Sequence, residues 1–504
     1  MFHLRMIQPE QFAAVREHFH QAGYNADEIR RRFNVKPDEP LNMVSFCTKP
    51  SPIAKVENSL DAIVNLFLVG EALLTAETAA LFPPAVWEAL TQSELILTET
   101  TDAARCLGSV ALFPVRGVFL AADRWTNIDH TVRQPFADIV YPPMTKSVKE
   151  YLDYTSFAPC GDFLEICAGS APAALLAAKN AKRVWAADIT ERSLAFAKFN
   201  AELNGIQNIT FALGDLYQPV AGHTFDRIAA HPPYMPVLKP TEIFAGGGEL
   251  GEDLARKIVA ELPQQLKPGG RFYCRTLGLD RVNKGFEETA REWLGEKQAA
   301  FDVGVFVIGT VSPNRFALED SLTHGGGREL ARQWEQLFEH HGVRELMNLV
   351  LVIEYVAEKR PAYTLRRTLP ANTPAATLEW ALRWEVEMHQ SETLEKLLRA
   401  KPVATEGTEV TARHVLKDGG LAPQEFRMQQ RRPFEVDWRV QPWMPMLLPA
   451  CDGKATVGEL YELCKKNEWI LAETPEKEFC GVVATLISGG FLWAENFKWP
   501  EAAK

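Results

Sequence analysis

A predicted strand, a turn of small residues and an alanine-rich helix follow one another between residues 163 and 178, and they constrain the fold more than any other segment. Residues 163–166 predict a buried strand, residues 167–171 (Cys-Ala-Gly-Ser-Ala) a tight turn, and residues 173–178 a helix. Small residues let the backbone approach a ligand closely, and the helix N-terminus presents N–H groups to it. The segment therefore predicts the first strand–helix unit of an open α/β sheet that binds a ligand at the carboxyl end of its strands.

Acidic residues follow at the ends of the next two predicted strands. The strand over 183–188 finishes at Asp188, about 20 residues beyond Gly169, where a carboxylate accepts hydrogen bonds from ribose hydroxyls. The strand over 209–213 is followed by Asp215, which is suited to an adenine amino group. The pattern predicts a site for an adenine nucleoside along one edge of the sheet.

Two consecutive prolines mark the end of a fourth predicted strand, over 225–230. His231, Pro232, Pro233 and Tyr234 come directly after it. Proline lacks the N–H that a central strand needs and has a fixed φ, so the chain must leave the sheet at His231. This turn therefore places backbone carbonyls and an aromatic ring at the ligand-binding edge.

Taken together, residues from about 140 to 356 resemble a class I S-adenosylmethionine-dependent methyltransferase. The similar subset carries an Asn-Pro-Pro-Tyr/Phe motif and includes glutamine methyltransferases of release factors and small-domain rRNA guanine methyltransferases. A dinucleotide-binding domain would need Gly-x-Gly-x-x-Gly, of which only Gly169 is present. Besides the strand ends, three segments carry the resemblance: Pro142–Thr145, Phe244–Gly251 and Leu266–Phe272.

The resemblance implies a Rossmann-like seven-stranded core, S-adenosylmethionine as cofactor, and no metal. It assigns catalysis to His231 and Tyr234. The same resemblance implies a cofactor site formed by Glu165, Cys167, Ala168, Gly169, Ala171, Asp188, Ile189, Gly214, Asp215, Leu216 and His231. For the substrate it implies Thr145, Pro232, Pro233 and Tyr234.

The chain also departs from the family pattern. Cys167 and Ala171 replace two glycines of the usual Asp-x-Gly-x-Gly-x-Gly loop, and Glu165 replaces its acid. His231 stands where the family has Asn. Two interpretations of His231 stay open: a general base that titrates near pH 6 to 7, or a residue that only holds the acceptor or binds without methyl transfer.

Composition and charge bear on the partners. The 504 residues include 46% hydrophobic and 24% charged residues, with a net charge of −11 and a pI near 5.6. Enzymes that modify nucleic acids usually carry a basic face. We therefore expect a small-molecule or peptide substrate and regard nucleic acid as an improbable partner. No membrane partner is expected, and the sequence leaves the oligomeric state open.

Four regions are predicted. Residues 1–135 form an N-terminal helical, winged-helix-like domain, in which residues 109–121 read as one strand. Residues 136–358 form the methyltransferase domain. Residues 359–434 combine a linker over 361–377 with a helix over 378–398, and residues 435–504 form a small C-terminal α+β, winged-helix-like domain.

The predicted function is methyl transfer from S-adenosylmethionine to a nitrogen or oxygen of a small metabolite or peptide natural-product intermediate. The alternatives are an rRNA base or protein glutamine N-methyltransferase and, outside enzymes, a regulatory module that binds S-adenosylmethionine. The N-terminus has no apolar core of signal-peptide length, and the eight cysteines form no Cys-x-x-Cys motif. These features favour a cytoplasmic location.

Overall fold

A computed structural model describes residues 4–500 except 37–40, 42–45, 47–50, 100–101, 103, 128–130, 132–136, 239–245 and 358–359. The chain divides into two compact units, Met1–Leu277 and Gly278–Lys504. The four predicted domain boundaries stay predictions.

The first unit begins with short helices and antiparallel strands. Strand β1 pairs with β3, and β3 with β2, while β4 and β5 form a separate hairpin. Asn25 and Asn58 cap two of the helices, because each side chain accepts a backbone N–H of the first turn. The elements are α1 Pro9–Gln21, α2 Ala26–Phe33, α3 Ser59–Val64 with a π-helical turn Asn65–Val69, β1 Leu73–Leu74, α4 Thr75–Ala79, α5 Pro84–Gln92, β2 Ile96–Thr98, β3 Arg105–Gly108, β4 Ala111–Val115 and β5 Val118–Ala122.

The single strand predicted over 109–121 is wrong. Arg116 and Gly117 both have positive φ, 49° and 78°, and they turn the chain between β4 and β5. Two consecutive left-handed residues give the tight turn whose twist matches a hairpin. The prediction failed because arginine is not a usual signal for such a turn.

A parallel sheet follows, and it fills the rest of the first unit. Its strands lie in the order β10–β9–β6–β7–β8, and every neighbouring pair is parallel. Strands alternate with helices along the chain, which brings the carboxyl ends of the strands to one edge. The elements are α6 Lys146–Tyr154, β6 Cys160–Ile166, α7 Pro172–Ala177, β7 Ala181–Asp188, α8 Glu191–Asn204, β8 Ile209–Leu213, β9 Phe225–Ala230, α9 Asp253–Gln265 and β10 Leu266–Arg281. The predicted α/β class with a large, mostly parallel sheet is confirmed.

Two segments that carried the resemblance have a distinct local structure. The register of β10 on β9 shifts between Leu266 and Arg271, where Gly269 has a φ of 78°. The segment Leu266–Phe272 therefore contains a bulge at the start of β10. In the glycine-rich segment, Phe244 and Ala245 lie outside the described residues.

The second unit combines long strands with helices and a three-stranded meander. Strand β11 pairs with β12 antiparallel and with β13 parallel, β15–β16–β17 are antiparallel, and β14 pairs with β18. The elements are α10 Phe286–Trp293, β11 Phe301–Val311, α11 Pro313–Thr323, α12 Gly327–His340, β12 Val343–Tyr355, β13 Thr364–Thr368, α13 Ala375–Glu387, α14 Ser391–Leu398, β14 Val403–Ala404, β15 Glu409–Lys417, β16 Gly420–Gln430, β17 Val436–Val440, α15 Trp443–Leu447, α16 Val457–Lys466, α17 Glu476–Ser488 and β18 Leu492–Trp493.

Two local predictions for this unit are wrong. The expected linker over 361–377 contains β13, which pairs with β11, and the first turn of α13. The expected helix over 378–398 is interrupted between α13 and α14, where Gln390 is extended at ψ 135°. The apolar residues stop at Met388 and resume at Leu394, so the polar residues 389–393 coincide with the break that the prediction overlooked.

None of the helices in the described part of the chain is long and apolar enough to cross a membrane. The cytoplasmic location and the independence from metal stay predictions.

Candidate active site

A cavity of about 450 Å³ opens at the carboxyl ends of the parallel strands in the first unit. Thirteen of the predicted residues line it: Glu165, Cys167, Ala168, Gly169, Asp188, Ile189, Gly214, Asp215, Leu216, His231, Pro232, Pro233 and Tyr234. Ala171 and Thr145 are not part of its wall. Ala171 is fully buried, and Thr145 instead caps α6 by accepting the N–H of Val148.

The loop between β6 and α7 has left-handed backbone at alternate positions. Cys167, Gly169 and Ala171 have φ values of 56°, 54° and 60°. A residue with a Cβ pays roughly 1–2 kcal/mol for this conformation. The positions where the chain departs from the family's glycines are therefore ones where the backbone favours glycine.

Glu165 anchors this loop to the helix behind it. Its carboxyl group accepts the N–H of Ala173 at 3.2 Å and of Ala174 at 2.7 Å, and the hydroxyl of Tyr151 donates to it at 3.1 Å. The N-terminus of α7 is thereby capped from within the core. Glu165 lines the cavity, but these contacts give it a structural role that the sequence did not indicate.

Burial raises the pKa of Glu165 to about 8, although the two backbone N–H groups oppose the shift. The folded protein therefore binds a proton at Glu165 that the unfolded chain releases above its ordinary pKa of 4.5. This contribution to stability is complete below about pH 4.5 and is lost as the pH rises through about 8.

Glu165→Gln is accordingly expected to flatten the loss of stability between about pH 4.5 and 8. The measurement is the thermal midpoint of cofactor-free protein across this range. Glu392→Gln serves as control, because Glu392 is exposed and its pKa is lowered by Lys396. Parallel curves for the parent and Glu165→Gln would show that Glu165 does not titrate in this window.

Asp188 connects the loop that follows β6 with the loop that follows β7. Its Oδ2 accepts the N–H of Gly169 at 2.8 Å, and its Oδ1 accepts the N–H and the hydroxyl of Thr190. Ile189 next to it is 57% exposed, which leaves an apolar surface free for a flat ring. After the neighbouring strand β8, Asp215 is exposed and Leu216 is held at a φ of 46°.

The turn at Gly169 shows that the loop has room for a ligand. A Cβ built on Gly169 would meet no atom within 4 Å among the described residues, although Gly169 lines the cavity. The carboxylate of Asp188 is beside it, and the apolar side chain of Ile189 follows. The acceptor oxygens of Asp188, the apolar side chain of Ile189 and the open space at Gly169 fit the methionine and ribose portions of S-adenosylmethionine.

Gly169→Ala tests that fit. We expect a stability loss of roughly 1–2 kcal/mol from the left-handed backbone and an affinity for S-adenosylmethionine at least about tenfold weaker. Gly222→Ala is the matched control, because Gly222 has a φ of 82° with open space at its Cβ but does not line the cavity. Calorimetry showing equal cofactor affinity in both variants would remove Gly169 from the binding site.

His231 lies directly after β9, in a stack of aromatic rings. Its centroid is 5.2 Å from that of Tyr151 and 5.7 Å from that of Tyr234, with interplanar angles of 27° and 28°. The buried Nε2 has no hydrogen-bond partner among the described residues. The sequence predicted His231 and Tyr234 but gave no signal for Tyr151.

Burial, and then the positive charge of Arg275, lower the pKa of His231 to about 3. The ring is therefore neutral at pH 7, with one nitrogen that accepts a hydrogen bond and one that donates. The expected titration near pH 6 to 7 does not agree with this environment. A neutral ring with an unused Nε2 favours the second interpretation, in which His231 holds the acceptor.

Sequence reasoning missed most of the opposite wall. Trp125 and Tyr141 contact each other edge to face at 5.7 Å, and Ser147 lies nearby. Burial raises the pKa of Tyr141, as does its proximity to Tyr234. These residues precede the first strand of the sheet, and no motif marks them.

Comparison with known proteins agrees with this geometry. Residues 161–339 match a family model described as a methyltransferase domain. The chain contains a methyltransferase domain. This domain's cofactor is S-adenosylmethionine, and its match covers the cavity-lining loops from Glu165 to Tyr234.

Curated relatives of the methyltransferase domain are named for glutamine methylation. A ribosomal protein uL3 glutamine methyltransferase of Bradyrhizobium diazoefficiens is 30% identical over 154 residues, 28% of this chain and 48% of that protein. A putative protein N5-glutamine methyltransferase of Methanocaldococcus jannaschii is 38% identical over 116 residues, 22% and 58%. A release factor glutamine methyltransferase of Thermodesulfovibrio yellowstonii is 32% identical over 123 residues, 22% and 44%. The chain thus spans about half the length of these relatives.

Similar solved structures include a tRNA methyltransferase of M. jannaschii, 17% identical, with a TM-score of 0.31 over 50% of this chain and 58% of that one. A precorrin decarboxylase of Methanobacterium thermoautotrophicum is 16% identical, with a TM-score of 0.25 over 43% of this chain and 92% of that one.

The prediction of a small-molecule or peptide partner, with nucleic acid improbable, is wrong. The relatives of the methyltransferase domain are named for macromolecular acceptors, ribosomal protein uL3 and release factors. Net charge misled the prediction, because it reports on the whole surface and says nothing about an acceptor that enters a single cavity.

Proposed function

We propose that this chain is an S-adenosylmethionine-dependent methyltransferase that methylates the side-chain amide nitrogen of a glutamine in a protein. The named relatives support the acceptor class. The observation that carries the proposal is the buried, unused Nε2 of His231 beside the ring of Tyr234.

A neutral imidazole shares two properties with the family's asparagine. Each is planar, and each has one acceptor atom and one donor atom, although the imidazole nitrogen accepts only a single hydrogen bond. His231 therefore replaces asparagine without requiring a different reaction. Because its pKa is about 3, the ring keeps this pattern throughout the physiological range.

Different residues around the cavity would hold different parts of the cofactor and the acceptor. The loop from Cys167 to Gly169 would hold the methionine portion, Asp188 the ribose, and Asp215 with Leu216 the adenine. Bound S-adenosylmethionine supplies the activated methyl group. His231 accepts one amide N–H and so directs the nitrogen toward that group, a matter of positioning.

Tyr234 restricts the acceptor to a flat group. Its ring is inclined by 28° to that of His231, and a planar amide would stack against this ring. An amide nitrogen that has gained a methyl group is strongly acidic. Its proton is therefore released to water without a general base.

Small elements within each unit support the predicted winged-helix-like domains. In the first unit, β1, β2 and β3 form one antiparallel sheet interleaved with α3, α4 and α5. In the second, α16 and α17 precede β18, which pairs with β14. We propose that one of these domains binds the protein acceptor.

Peptide mass spectrometry tests the acceptor. Proteins from cells that express the parent chain are compared with proteins from cells that express His231→Ala. The proposal predicts at least one peptide whose glutamine carries one additional methyl group only with the parent. Identical glutamine peptides in both, together with a modified RNA base, would replace the protein acceptor with rRNA, whose exocyclic amino groups are also planar.

A further inference from the structure

A buried arginine lies next to the turn formed by residues 231–234, at a position that no motif identified. Arg275 in β10 is 4% exposed. Its Nε and Nη2 are each 3.0 Å from Oε2 of Glu150 in α6, and its Nη1 donates to the carbonyl of Thr276 at 2.9 Å. Several donors of the guanidinium are therefore fixed by the protein.

The guanidinium of Arg275 lies over the ring of Tyr234. The Cζ of Arg275 lies 5.1 Å from the ring centroid of Tyr234, and Tyr234 in turn stacks on His231. Glu150 is adjacent in α6 to Tyr151, whose ring also stacks on His231. The ion pair thus contacts one aromatic neighbour of His231, Tyr234, and is one residue along α6 from the other.

We propose that Arg275 is a positioning residue for methyl transfer. Glu150 holds Arg275, and Arg275 fixes the ring of Tyr234 against His231. This contact sets the width of the acceptor slot, by which we mean the space beside His231 and Tyr234 that the acceptor amide enters. The proposal rests on the proposed function, since the slot is defined by the acceptor that enters it. Arg275 itself does not line the cavity.

The chemistry of arginine suits this role. A guanidinium is planar, stays charged when buried and binds a carboxylate while its face stacks on an aromatic ring. Lysine offers a point charge without the plane or the fork. Desolvating two opposite charges is costly, so a net contribution to stability does not by itself account for this buried pair.

The test removes the pair as a unit, so that no unpartnered charge is left in the core. The double variant Glu150→Leu with Arg275→Met is compared with Lys267→Met. Lys267 lies on the same strand β10, but it pairs with Asp162 and Asp226 at the opposite end of the sheet. Affinity for S-adenosylmethionine, kcat and KM for the protein acceptor, and the NMR resonances of the His231 ring are measured.

In the double variant we expect kcat to fall at least about tenfold, with cofactor affinity unchanged, while Lys267→Met behaves like the parent. The His231 resonances should shift, and the pKa of His231 should rise from about 3, because the charge of Arg275 contributes to its depression. A kcat like the parent's, with unshifted His231 resonances, would overturn the proposal.

Two further outcomes need a separate interpretation: a double variant that does not fold, and a parent that methylates no protein. If the double variant does not fold, Arg275→Lys takes its place: it keeps the charge, and we expect a lower kcat with the pKa of His231 still depressed. A parent-like kcat in Arg275→Lys would overturn the proposal. If the parent itself methylates no protein, the proposed function fails, while the His231 resonances still report whether Arg275 fixes the rings.

Discussion

Replacing His231 by alanine is expected to lower the rate of methyl transfer by about 100-fold, the usual consequence of removing one preorganised hydrogen bond to a reacting group. The ring lies between Tyr151 and Tyr234, and its Nε2 has no other partner in the described part of the chain. Affinity for S-adenosylmethionine should not change, since the cofactor loops are held by Glu165 and Asp188.

His231→Asn is the matched control. Asparagine restores a planar donor and acceptor, so turnover should stay within about tenfold of the parent. Because the pKa of His231 is about 3, rates of both proteins should show no inflection from this residue between about pH 5 and 8. An inflection near pH 6 to 7 in the parent, absent from His231→Asn, would instead establish His231 as a general base.

Asp188→Ala is expected to weaken S-adenosylmethionine binding by at least about 100-fold, because hydrogen bonds to a charged group contribute about 1.5–3 kcal/mol each. The carboxylate also holds the N–H of Gly169 and the backbone of Thr190, so the loop loses its anchor together with the ribose contact. Titration calorimetry measures the affinity directly.

Asp226→Ala controls for the loss of an acidic side chain. Asp226 lies at the start of β9, at the far end of the sheet, where it accepts the N–H of Asp162 and the ammonium group of Lys267. Its cofactor affinity should equal that of the parent. Unchanged affinity in Asp188→Ala would exclude Asp188 from the cofactor site and with it the nucleoside half of the proposed arrangement.

The sequence predicted residues that line the cavity after β6, β7, β8 and β9, because each group is local in the chain. Each strand is followed directly in the sequence by the loop that lines the cavity. Asp188 and His231 are each the first polar group after a buried strand. Parallel pairing then brings these ends together at the same edge, which is a consequence of βαβ connectivity rather than of distant contacts.

The neighbours that surround His231 and Tyr234 could not be predicted in the same way. Tyr151 and Arg275 reach His231 and Tyr234 through tertiary packing across α6 and β10, which no spacing along the chain encodes. Glu165 shows the same limit: its position was predicted, but its role in capping α7 depends on a turn geometry that only the folded backbone defines. The pKa values that separate positioning from base catalysis depend on burial for the same reason.

The most direct test of the central claim follows a labelled methyl group. Purified protein is incubated with methyl-labelled S-adenosylmethionine and an extract of cells that lack this chain, and the products are divided into protein, RNA and small molecules. We predict that the label enters the protein fraction, is released as small peptides by protease, resists ribonuclease, and is about 100-fold slower to appear with His231→Ala. Label confined to RNA or small molecules, or cofactor binding without any transfer, would contradict the account.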